Sequence, residues 1–157
     1  MSDLTVTVEP GRQDIVITRT FDAPRDVVFR AMTEPEHLAR WWGLDETDTV
    51  VDRAEVRPGG TWRFVEKAAD GEEYAFHGVF HDVVAPERIV QTFEFEGMPG
   101  HVAMDTHMLE EKDGRTLYRA ISVFQTVEDR DGMVSSGMEE GLAQSLDALE
   151  GLARGLA

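Results

Sequence analysis

The spacing of hydrophobic positions changes character twice along this chain, and each change marks a different kind of element. Ile15, Val16 and Ile17, then Thr18 and Thr20, lead to Phe21 in a β-branched run that predicts a strand beginning near Asp14. Asp22-Ala23-Pro24 ends it and opens a helix, with Asp22 or Ala23 as cap and Pro24 in the first turn, where a missing N–H costs nothing. Val27, Val28, Ala31 and Met32 have helical spacing, and a second short helix from Pro35 carries Leu38, Trp41 and Trp42 on one side.

From Thr49 to Phe124 the period falls to two, which predicts strands near 49–56, 60–67, 73–84, 88–96, 101–110 and 115–125. Their connections carry turn chemistry: Pro58-Gly59-Gly60, Asp70-Gly71, Ala85-Pro86-Glu87, Gly97-Met98-Pro99-Gly100 and Asp113-Gly114. The two Asp-Gly pairs are the strongest hairpin signals. Val134, Met138, Leu142, Leu146, Leu149 and Leu152 then restore a helical period over the C-terminal stretch, and Ser136-Gly137-Met138-Glu139 matches a capping box that places the helix start near Ser136. Gly137 and Gly141 each cost about 1 kcal/mol against alanine inside a helix. Either close approach to the sheet or room for a ligand beneath the helix would offset that cost.

Residues 1–12 are polar and broken by Pro10-Gly11, and read as an extension whose pairing the pattern leaves open. Residues 13–157 form one α+β domain: a curved antiparallel sheet of about six to seven strands, two short helices after the first strand, and a long C-terminal helix across the concave face. Between sheet and helix there is space for a cavity.

Composition narrows the function. A chain of 157 residues is long enough to bury roughly 70% of its unfolded surface. The net charge of −16 and the presence of only two lysines, Lys67 and Lys112, argue against nucleic acid and anionic lipid as partners. No run approaches the roughly 20 apolar residues of a membrane helix, and the opening residues show no secretory signal, so the expected location is the cytoplasm. With no cysteine there is no disulfide, thiolate nucleophile or Cys-based zinc site. His77 and His81, four apart on a strand, stand about 13 Å from each other and cannot share an ion. No metal or cofactor is expected. His77 and His107 alternate against the aromatic positions and are expected to face outward. A Gly-x-Ser-x-Gly elbow and a phosphate loop are both missing, and the acidic run Asp45, Glu46, Asp48 and Asp52 reads as a solvated loop.

The aromatic residues suggest a concave wall. Trp62 and Phe64, Tyr74 and Phe76, and Phe93 and Phe95 are each two apart, so each pair shares a sheet face. With Trp41 and Trp42, and with Met104, Met138 and Leu142, they form the expected ligand-binding set; taken singly, each pair reads better as core, and it is the set as a whole that points to a pocket. Gln91 has the parity of Phe93 and is expected to orient a ligand. Arg119 has the parity of Leu117 and Ile121, and if buried it would need a carboxylate or an anionic ligand.

Phe21-Asp22-Ala23-Pro24-Arg25-Asp26-Val27-Val28-Phe29, then Thr33-Glu34-Pro35-Glu36-His37-Leu38 with Trp41-Trp42, then Arg57-Pro58-Gly59-Gly60 with Trp62 and Phe64 are motifs of a known kind. Gly71-Glu72-Glu73-Tyr74 with Phe76 and Gly78, Pro86-Glu87-Arg88-Ile89-Val90, and Gly141-Leu142 with Ser145-Leu146 and Leu149 continue them. Together they resemble the START-like (SRPBCC) superfamily of helix-grip proteins, and most closely the family named after the activator of the heat-shock-protein-90 ATPase, over about residues 13–154. The resemblance implies the helix-grip fold, and it implies binding of a small hydrophobic or amphipathic molecule, since the superfamily includes lipid and hormone carriers. It also admits a cyclase- or dehydratase-like enzyme in the same cavity and, at more distance, a chaperone-regulating or other protein-interaction module. A homodimer is compatible with this fold, but no residue marks its interface.

Overall fold

The computed structural model describes residues 4–157. Its centre is one eight-stranded antiparallel sheet: β1 (Thr5–Thr7), β2 (Asp14–Phe21), β3 (Asp48–Ala54), β4 (Thr61–Lys67), β5 (Glu73–Val84), β6 (Arg88–Phe95), β7 (Val102–Lys112) and β8 (Arg115–Val123), in the spatial order β1-β2-β8-β7-β6-β5-β4-β3. Helices α1 (Arg25–Thr33) and α2 (Pro35–Trp41) follow β2, and α3 (Val127–Ser135) and α4 (Met138–Leu156) end the chain.

The sheet has one strand more than expected, because the N-terminal extension pairs. Thr5, Val6 and Thr7 lie opposite Thr18, Ile17 and Val16 of β2, while Leu4, Val6 and Val8 pack against the core. Pairing covers an edge that β2 would otherwise expose. The buried Arg130 of α3 fastens the extension: its guanidinium donates to the carbonyls of Glu9 (2.8 Å) and Asp14 (3.0 Å) and to the Asp131 carboxylate (2.9 Å).

The C-terminal helix also differs from expectation. The long helix is there as α4, starting at Met138, but a further helix, α3, precedes it, and the two are separated at Gly137, whose φ of +83° is a left-handed conformation that glycine adopts without strain. Thr126 caps α3 by accepting from the Asp129 N–H at 3.0 Å. The step from Val134 to Met138 keeps helical spacing across the break and so conceals it. At α1 the cap is Pro24, with no side-chain cap bond, rather than Asp22 or Ala23. The N–H of Arg25 instead donates to Glu111 of β7, 2.8 Å away, so a neighbouring strand meets the need that a cap would have met.

Helix α4 buries Leu146, Leu149 and Ala153 and packs on α1 and α2. Arg19 joins it to the sheet. Only 2% exposed, its guanidinium contacts Asp147 and Glu150 of α4 at 2.7 Å each and lies 5.2 Å from the Phe21 ring centroid. The helix is thus held above the sheet from the β2 side, and a cavity lies between them.

Candidate functional site

The cavity has a volume of about 480 Å³ and is lined by the concave face of the sheet, by α2 and the loop after it, and by α3 and α4. Most of its wall is aromatic or aliphatic. Trp42 stands edge-on to Trp62, Phe64 and Phe76, with ring centroids 6.3, 5.1 and 5.3 Å away. Phe76 continues the stack to Phe93 at 5.4 Å. Trp62, 1% exposed, donates its indole N–H to the Thr92 carbonyl (3.1 Å), passing over Gly78. A Cβ at Gly78 would run into both the Thr92 carbonyl and the Trp62 indole nitrogen. That glycine is what lets the indole lie flat against the sheet. Trp41 donates to the Ala31 carbonyl at 2.7 Å, which holds α2 on α1.

The loop after α2 closes one end. Gly43, at φ +99°, has a conformation strained for any other residue, and a Cβ there would displace the Glu66 carboxylate. Its backbone is clamped by Ser145 of α4, whose hydroxyl accepts from the Gly43 N–H (3.1 Å) and donates to the Gly43 carbonyl (2.6 Å). The buried Glu66 carboxylate accepts from the hydroxyls of Thr47, at 2.6 Å, and Thr49. Gly141 faces the Leu44 side chain, the flexible tip of which limits the space there.

At the centre of the sheet the wall turns polar. Strand register places Phe80, Gln91, Asp105, Ser122 and Ile15 in one transverse row, and Ile89, His107, Ala120 and Ile17 in the next. Tyr118 follows on β8, its hydroxyl 2.8 Å from His107 Nδ1. Gln91, Asp105, His107, Tyr118 and Ser122 all line the cavity. Burial pushes the Asp105 carboxyl up to about 6, with the Ser122 hydroxyl working the other way. Burial also lowers His107 to about 4. The Tyr118 phenol is pushed up, first by burial and then by the negative charge of Asp105. Near neutrality, then, His107 is an uncharged imidazole and Asp105 is a carboxyl that takes up a proton more readily than an exposed one.

Of the residues singled out from sequence, Trp41, Trp42, Trp62, Phe64, Tyr74, Phe76, Gln91, Phe93, Met138 and Leu142 line the cavity. Three others lie elsewhere. Phe95 shares the face but sits beyond the rim, stacked on Phe76 and Tyr74 at 5.2 and 6.5 Å. Met104, 47% exposed, and Arg119 occupy the convex face with Leu117 and Val123. Assigning Met104 to the cavity and His107 to the exterior were the same error. Inward positions on β7 are Ala103, Asp105, His107 and Leu109, and shifting a strand by one residue exchanges its two faces. Pairing of β7 with β6 contains the missed signal, since Gln91 lies opposite Asp105 and Phe93 opposite Ala103. His77 faces outward as expected, with Nδ1 3.0 Å from Glu96, which also chelates Arg63 at 2.8 and 3.0 Å.

Comparison with known proteins places this geometry in context. No curated protein matches the chain. A solved protein of Arthrobacter aurescens is similar at 25% identity with a TM-score of 0.87, over 96% of this chain and 91% of that one. One of Chromobacterium violaceum is 26% identical, with a TM-score of 0.81, over 90% and 96%. A protein of Rhodobacter sphaeroides shares the fold at 20% identity, with a TM-score of 0.87 over 96% and 99%. The family described as activator of Hsp90 ATPase homolog 1-like protein matches residues 22–154, which is most of the domain and every element of the cavity wall except β2, so the chain belongs to that family.

Proposed function

We propose that this protein binds a small, largely hydrophobic molecule in the cavity between the sheet and α4. One observation carries the reading. A space of about 480 Å³ with aromatic walls and a few convergent polar groups at its centre has the size and chemistry of a small-molecule site. Its polar groups come from adjacent strands of a hydrogen-bonded sheet, which fixes their spacing before any ligand arrives.

Displacement of the fluorescent apolar probe N-phenyl-1-naphthylamine, together with native mass spectrometry of protein from its own host, tests this. Probe binding is expected in the parent protein and its loss in Ala120→Phe, which fills the cavity from β8. Equal probe binding by both proteins would refute the proposal.

A second reading, an enzyme of the cyclase or dehydratase kind, is favoured by Asp105, because a carboxyl held near 6 is suited to exchanging protons around neutral pH. In that case Asp105→Asn abolishes turnover of a bound substrate while leaving its affinity within a few fold. A pure binder shows no turnover to lose.

A further inference from the structure

We infer that the cavity selects an uncharged amphipathic ligand, seated with a hydroxyl end against Gln91, Asp105 and His107 and its apolar body among the tryptophans and phenylalanines. The inference rests on the binding reading above and specifies the ligand class.

Unmet hydrogen-bonding capacity defines the polar end. The Gln91 carboxamide lines the cavity and has no hydrogen-bond partner among the described residues, so it presents both a donor and an acceptor. Tyr118 has no other protein acceptor than His107 Nδ1, 2.8 Å away, among the described residues, and we take its hydroxyl as the donor of that contact. The proton of the neutral imidazole is thereby left on Nε2, a second donor without a protein partner among the described residues. Asp105 stands between them in register, opposite Gln91 on one side and Ser122 on the other. A group that both accepts and donates satisfies this set. Leaving it unmet beside a purely apolar ligand carries the desolvation penalty of buried polar atoms.

Charge is excluded on both sides. The cavity wall contains no lysine or arginine, while Glu66 and Asp105 are both acidic. Arg19, the buried cation of β2, is already taken by Asp147 and Glu150. A carboxylate or phosphate ligand would therefore enter without a counter-ion and against the field of a chain carrying −16. An ammonium seated at the polar end would meet Asp105 alone, because the Glu66 carboxylate lies at the loop end and is already taken by the Thr47 and Thr49 hydroxyls, and it would lose most of its hydration for that one partner. Burial-raised proton affinity at Asp105 also favours its uncharged form once a neutral ligand displaces water.

Four probes with one apolar body test this at pH 7.5: naphthalene, 2-naphthol, 2-naphthoate and 2-naphthylmethylammonium, each titrated against bound N-phenyl-1-naphthylamine. The expected result is 2-naphthol binding at least tenfold more tightly than any of the others, and falling to the level of naphthalene in Gln91→Met. That variant keeps side-chain length, and retained N-phenyl-1-naphthylamine binding shows that it is folded. A charged probe that matches 2-naphthol, or 2-naphthol no better than naphthalene while naphthalene binds, overturns the inference and leaves the binding reading intact. Failure of every probe, N-phenyl-1-naphthylamine included, overturns both.

Discussion

Tyr118 and His107, on neighbouring strands, hold each other inside the cavity: the phenol oxygen is 2.8 Å from Nδ1, and the rings stack with centroids 5.9 Å apart at 19°. With the phenol as donor, this contact leaves the imidazole proton on Nε2, which is then the donor offered to a ligand. In Tyr118→Phe the preference disappears. Nitrogen-15 NMR of His107 should change from a single Nε2–H tautomer to a mixture, with a stability loss of about 1–3 kcal/mol for the buried nitrogen left unpaired. An unchanged tautomer would show that the contact does not control it.

His107 and Asp105 should give opposite pH dependences of stability. Asp105 has a folded pKa of about 6 against 3.8, so its contribution is fully present below about 4 and is lost as pH rises through 6. His107 has a folded pKa of about 4 against 6.5, so its contribution is present above 6.5 and is lost as pH falls through 4. Each amounts to about 3 kcal/mol, and between pH 4 and 6 they oppose each other. Urea unfolding of Asp105→Asn over that range should show stability rising with pH more steeply than in the parent, and His107→Gln should show it rising less or falling. Parallel curves for all three proteins would mean that neither group is desolvated as its burial indicates.

The ion triad of Arg19 with Asp147 and Glu150 should respond asymmetrically. Arg19 is buried while Asp147 is mostly exposed. Arg19→Met replaces a buried charge with an apolar chain and leaves carboxylates that reach water, at a cost of about 1 kcal/mol or less. Asp147→Asn with Glu150→Gln leaves the buried guanidinium uncompensated and should cost about 3–5 kcal/mol. Thermal melts of the two variants decide the order, and the reverse order contradicts this account.

Gly78→Ala should be among the most damaging one-carbon changes available. The added methyl meets the backbone carbonyl of Thr92 and the Trp62 indole, so Trp62 must leave its place or β5 and β6 must separate. The expected outcome is a loss of about 1–3 kcal/mol and a red-shifted tryptophan emission; an unchanged spectrum and melting point would show that the site has slack.

How far the sequence could be read depended on the kind of information each element carries. The Asp113-Gly114 turn is two residues long with Lys112 opposite Arg115, and from there the β7–β8 register follows residue by residue to Asp105 and Ser122. Aromatic pairs on β4, β5 and β6 announced their shared face, because large apolar side chains mark the inside of a sheet. On β7 the same rule failed. Met104 and Met108 are the larger apolar side chains, and yet Ala103, Asp105 and His107 point inward beside Gln91 and Phe93.

Periodicity, turn residues and composition alone determined the α+β architecture, most strand limits and the aromatic cavity wall, because these follow from local propensity. Tertiary structure decided the pairing of β1, the break at Gly137, the burial of Arg19 and Arg130, and the polar row at the cavity centre. Each of these depends on a neighbour distant in sequence: an open sheet edge, a carboxylate on a facing helix, or a strand partner that turns a polar side chain inward. An alternating pattern says that two faces differ, but only packing says which of them is inside.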